Sequence, residues 1–80
     1  MNLINFTLFN TEPPKSVYIN PAHVTSVLDR TQKGDKTLRT NIFTVDGEYF
    51  SVVEPVKLVV NTLIKDWEAE RQEYLKNANK

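Results

Sequence analysis

The sequence predicts an α+β fold: a strongly bent antiparallel sheet of four or five strands, covered on one face by a single long C-terminal helix. Two observations carry this expectation. Through the first half, apolar residues alternate with polar ones between Pro, Asn and Gly punctuation, which is the period of half-buried strands. Beyond Val53 the apolar period lengthens to between three and four residues, which is the period of a helix. The chain has 80 residues, enough for one core and not for two, so residues 1–76 read as one domain and 77–80 as a tail expected to fray.

The elements follow in order. Ile4, Phe6 and Leu8 share one side of an extended segment that Pro13 and Pro14 end, because proline fixes φ and removes a ladder donor. Ser16–Ile19 reads as a short second strand. Asn20-Pro21 then supplies a cap and a preset φ for a turn or a single helical turn. Val24–Leu28 resumes the strand pattern, and a polar connection with Gly34-Asp35 follows. Thr37–Val45 and Glu48–Val53 flank Asp46-Gly47, the signature of a two-residue hairpin turn, since Gly adopts positive φ without steric strain.

The helix is expected to start at Glu54-Pro55, with proline at its first position and the carboxylate near the positive end of the dipole. Val56, Val59, Val60, Leu63, Ile64 and Trp67 form its apolar stripe. With Val27, Ile42, Phe50 and Val52 across from them, Val56, Val60, Leu63 and Trp67 are the expected core. Some 20 helical residues would run about 30 Å, more than so small a sheet covers, so the last turns should project or meet another copy.

Composition excludes several classes of function. Ten basic and ten acidic residues balance overall, and residues 1–53 and 54–80 each carry five of either sign. Such a chain lacks the field that draws proteins onto nucleic acid or anionic lipid, so neither is expected as a partner. With no Cys there is neither a disulfide nor a thiolate metal site, and one His cannot build a histidine cluster within one chain. No metal and no cofactor is expected. The first residues lack a basic leader, and the longest apolar stretch is far shorter than the roughly 20 residues of a membrane span, which points to a cytoplasmic protein.

Catalysis finds no support. Asp29, Asp35, Asp46, Glu48, Glu54 and His23 fall at turns and element ends, where their capping roles explain them, so no catalytic residue is assigned. Two sets remain. Arg30, Lys33, Lys36 and Arg39 surround one connection and are candidates for an anionic, nucleotide-like ligand, although a solvated hairpin tip accounts for them too. Tyr18, Phe43, Tyr49 and Phe50 offer base-stacking surface, but a small core should claim most of them. Trp67, Arg71, Tyr74 and Leu75 lie past the part of the helix that a sheet can cover, and aromatic anchors within a charged rim suit a protein interface.

The order Ile19-Asn20-Pro21, Val24, Val27, Ile42, Thr44, Gly47, Val52, Glu54, Val56, Val59 and Val60 resembles the small flagellar and swarming motility proteins FlbD and SwrD over residues 17–64. Short bacteriophage proteins look similar. The Thr11–Lys15 segment, the long Arg30–Lys36 connection and the charged C-terminus depart from the motility pattern. The resemblance brings no catalytic residue with it and implies a cytoplasmic accessory protein that acts by contact. The expectation is therefore a non-catalytic, homo-oligomeric protein-interaction module, of the kind phages use to modulate a host or cellular partner. The alternative is an oligomeric sponge for a small anionic ligand.

Overall fold

A computed structural model describes residues 3–34 and 36–78. Five short strands precede one helix: β1 (Ile4–Thr7), β2 (Ser16–Ile19), β3 (Val24–Asp29), β4 (Thr40–Thr44), β5 (Tyr49–Val52) and α1 (Val56–Ala78). A 3₁₀ turn at Pro21–His23 links β2 to β3, and Asn20 caps it by accepting the Ala22 N–H at 3.0 Å. The strands pair as two antiparallel sheets, β1-β2 and β3-β4-β5. An antiparallel bridge between Leu8 and Val52 hinges one onto the other. Flanking it, Phe9 N donates to Ser51 O at 2.8 Å and Val53 N to Thr7 O at 2.9 Å. Across the fold the order is thus β2, β1, β5, β4, β3, the bent antiparallel arrangement that the strand pattern predicts, and β3 is an open edge.

The β4–β5 connection differs from expectation in one respect. Thr44 N donates to Glu48 O at 3.0 Å, so the loop holds three residues, Val45-Asp46-Gly47, rather than two. Gly47 takes φ +83° at its end, and Asp46 accepts from the Thr44 hydroxyl and from Glu48 N. A three-residue loop closed by a left-handed glycine is the next solution available to a right-twisted hairpin.

Glu54 does not serve the helix dipole. Pro55 precedes the first helical residue, and its carbonyl accepts the Val59 N–H at 3.1 Å. The Glu54 carboxylate instead reaches back to β1, where Thr7 N donates to its two oxygens at 2.9 and 3.1 Å. Its carbonyl accepts from the buried Thr40 hydroxyl at 2.7 Å. One residue therefore fixes where the helix leaves the sheet.

The core is Phe6, Ile19, Ile42, Val52, Val59 and Leu63. Ile42, Val52 and Leu63 match the expected set; Val27 and Phe50 pack on it half-buried, and Phe6 and Ile19 from the β1-β2 hairpin join it as fully buried members. On the helix, Val59 takes the place given to Val56 and Val60, while Trp67 is 41% exposed. The reason is the position of α1, which packs mainly along β3 and the 3₁₀ turn instead of across the sheet centre. Val59 and Leu63 are the helix residues buried in the core, Val60 and Trp67 line a groove beside β3, and Ile64 is exposed. The helix has 23 residues, about 34 Å at ~1.5 Å per residue, in a molecule 53 Å long and 22 Å wide. It runs on through Asn77 and Ala78, which were expected to fray; Asn79 and Lys80 lie outside the described residues.

Replacing Leu63 with Ala should cost about 2 to 5 kcal/mol of unfolding free energy, while Leu75→Ala, far out on α1, should cost less than about 0.5 kcal/mol. Urea denaturation of the two variants measures the contrast.

Candidate functional site: a helix flank and the face of a sheet

The described surface holds two features beyond the core. The first is one flank of α1. Val60, Ile64, Trp67, Arg71 and Tyr74 recur at alternating intervals of four and three, with Leu75 beside Tyr74, so they stack along one line of the helix. All but Val60 are exposed. The four interface candidates of the sequence are therefore neighbours, and Ile64 of the apolar stripe joins them. Trp67 is anchored: its indole Nε1–H donates to Pro21 O at 3.1 Å. Between this flank and β3 lies an apolar groove of about 210 Å³, lined by Val24, Val27, Val60, Leu63 and Trp67 among others.

The groove opens beside unpaired backbone. Arg30 N donates to Arg39 O at 2.8 Å, and an antiparallel ladder alternates, so Leu28 and Ser26 face β4 while Val27 and Asp29 turn their N–H and C=O outward. A bulge at Thr25, where the register shifts between Val24 and Ser26, ends this open edge on one side.

The second feature is the outer face of β3-β4-β5. Pairing of Ile42 with Phe50 toward the helix sends Phe43 and Tyr49 to the other side, where their rings lie 5.7 Å apart. Tyr18 is exposed as well. The expectation that the core consumes these aromatics is thus corrected: strict alternation places Phe50 inside and its register neighbours outside. Arg30, Gln32, Arg39, Asn41, Phe43 and Tyr49 line a cleft of about 380 Å³ on this face.

The basic set divides. Arg30 and Arg39 pair across β3 and β4 and share that cleft. Lys36 lines a separate hollow of about 470 Å³ with Phe9 and Pro14, and Lys33 stands exposed at the turn. Arg39 is held from two sides. Its guanidinium lies 5.0 Å over the Phe9 ring, and Nη2 donates to Ser51 Oγ at 3.5 Å. Its Nε is buried without a hydrogen-bond partner. The Ser51 hydroxyl in turn donates to Asn41 Oδ1 at 2.7 Å, and Asn41 is only 7% exposed. Asn41 is the residue that sequence reading missed: a polar side chain in mid-strand signals a solvated face, and its burial depends on neighbours across the sheet.

The titratable groups at turns do structural work. Thr31 N donates to Asp29 Oδ1 at 3.0 Å, and the backbone and hydroxyl of Thr31 hold the Asp29 carboxyl below its ordinary value of 3.8. The Thr44 hydroxyl, then the Glu48 amide, lower Asp46 in the same way. A general acid or base would need the opposite displacement, toward neutrality. His23 is exposed in its turn and meets Asn20 Nδ2 at 3.5 Å. No group of three or more His, Cys, Asp or Glu that could hold a metal ion occurs among the described residues. Nor is any described helix long and apolar enough to cross a membrane.

No family model, curated protein or solved structure matches the chain. Function is read from its own residues.

A depressed carboxyl stabilises the fold above its unfolded pKa and loses that contribution as pH falls through the folded one. Carbon-detected NMR titration should therefore place Asp29 and Asp46 below 3.8, with the β4–β5 loop loosening only under more acid conditions than that.

Proposed function

We propose that the chain is a non-catalytic contact protein that works in the cytoplasm as a homo-oligomer, its α1 flank and β3 edge covered by a second copy, and that a cellular partner meets the assembled surface. The observation that carries this reading is the adjacency of the two open features. Trp67 lines one groove with Val24 and Val27 of β3, and Ile64, three residues before it on α1, is exposed.

A second copy fits both at once. A two-fold axis beside β3 would pair the two edge strands antiparallel and lay the two helices antiparallel above them, because an isologous contact uses the same patch on each subunit. Charge favours that direction. Lys57, Lys65 and Asp66 leave the first half of α1 at +1, and Glu68, Glu70, Glu73, Arg71 and Lys76 leave the second at −1, so antiparallel helices set opposite net charges side by side. Opposed helix dipoles add to the attraction. An 80-residue chain without disulfides gains stability from covering such a surface.

Sedimentation velocity at micromolar concentration tests the reading. The chain should sediment at a multiple of 9.2 kDa, and Ile64→Lys should release monomers that keep the parent far-ultraviolet circular dichroism. A parent that stays monomeric at the highest soluble concentration would end the proposal.

A further inference from the structure

The outer face of the sheet lies opposite α1 and takes no part in the contact just described. We propose that it binds a nucleotide, with the base against Tyr49 and Phe43 and the phosphates at Arg30 and Arg39.

Four properties of the cleft converge on that ligand. Its volume of about 380 Å³ falls within the range of small-ligand sites. Both of its charges are positive. Arg30 and Arg39 are the charged residues among those lining it, and Asp29, their nearest acidic neighbour in sequence, points to the helix side of β3 and is engaged by Thr31. Planar guanidinium groups match phosphate oxygens in pairs, and Arg39 is pre-positioned by the Phe9 ring and Ser51, so little side-chain freedom remains to be lost on binding. Arg39 Nε is buried without a partner, and an anion held by the accessible part of the same guanidinium would offset that cost through its charge.

At the other end, Tyr49 is 54% exposed and tilted 35° against Phe43. Such a ring offers a stacking surface that accepts any base. Between the two ends sits the Asn41 amide, fixed by Ser51 and suited to the hydrogen-bonding edge of a heterocycle. Arg39 and Phe43 are four residues apart on one strand, about 13 Å between Cα atoms at ~3.3 Å per residue. Arginine side chains reaching inward bring that span to the length from a base to its phosphates.

The residue types exclude simpler ligands. A bare anion has no use for two aromatic rings, and an apolar ligand would strip water from both arginines without offering them new partners.

Two-dimensional amide NMR of the full chain, titrated with ATP, UTP, inorganic tripolyphosphate and a short oligothymidylate, tests the assignment. Either nucleotide should shift the signals of Asn41, Phe43 and Tyr49 at submillimolar concentration. Arg30→Glu and Tyr49→Ala alter exposed side chains and should keep the parent melting temperature while weakening binding at least about fivefold each. Saturation by the free nucleotides assigns the site to a soluble ligand. Tighter binding of the oligonucleotide, falling steeply with salt, assigns it to nucleotides within a strand. Absence of shifts at millimolar ligand, shifts confined to other residues, or tripolyphosphate binding as well as ATP with Tyr49→Ala indifferent would each overturn the proposal.

Discussion

One helix can cover one face of a sheet, and the described residues form a single α-helix. Its contact with the strands is narrow: Val59 and Leu63 close over Ile42 and Val52, and Phe6 and Ile19 complete the layer from the side. Glu54 sets the angle at which that contact is made, because its carboxylate binds the β1 backbone while its carbonyl takes the Thr40 hydroxyl. Removing either tie would leave a backbone group short of a partner in a region closed to most water. The remaining surface follows from this junction. Launched along β3 instead of across the sheet, α1 leaves its own flank bare, overruns the strands by half its length, and leaves the far side of β3-β4-β5 without a covering layer.

The two uncovered regions differ in chemistry, and the difference suits different occupants. The α1 flank is aliphatic and aromatic with a charged rim, and it adjoins unpaired strand backbone, which are properties of a surface that another protein covers. The outer face is polar and cationic around a pair of rings, with a buried amide at its centre. It is unsuited to a dry interface, because Arg30 and the accessible part of Arg39 would lose water without gaining partners there. Because α1 and the outer face lie on opposite sides of the sheet, association through the helix leaves the cleft open, and pairing about the β3 edge would set two such clefts on one continuous surface.

Much of this was legible in the residues. The period change after Val53 located the helix within three residues, Asn20-Pro21 marked the capped turn, and the charged run after Trp67 signalled a helix longer than its platform. What stayed hidden depends on pairing and placement. The three-residue loop at Val45-Asp46-Gly47 and the two-residue alternative share the same Asp-Gly text, and the choice between them lies in the register of β4 against β5. Glu54 read as a dipole partner because its target, Thr7, is 47 residues away. The helix stripe was overcounted for a similar reason: periodicity gives a line of apolar residues but not the strand on which the line rests. The outer site was half visible. Arg30 and Arg39 stood out by charge, but assigning Phe43 and Tyr49 to the same face required the strand register.

The claim on which this account most depends is that the β3 edge and the helix beside it are an interface. Hydrogen–deuterium exchange of the Val27 and Asp29 amides, followed from dilute to concentrated protein, examines it residue by residue. Both amides point away from β4, so in a lone chain they should exchange far faster than those of Ser26 and Leu28, and they should become protected as concentration rises. Exchange of Val27 and Asp29 that stays fast and unchanged at every concentration would contradict the account.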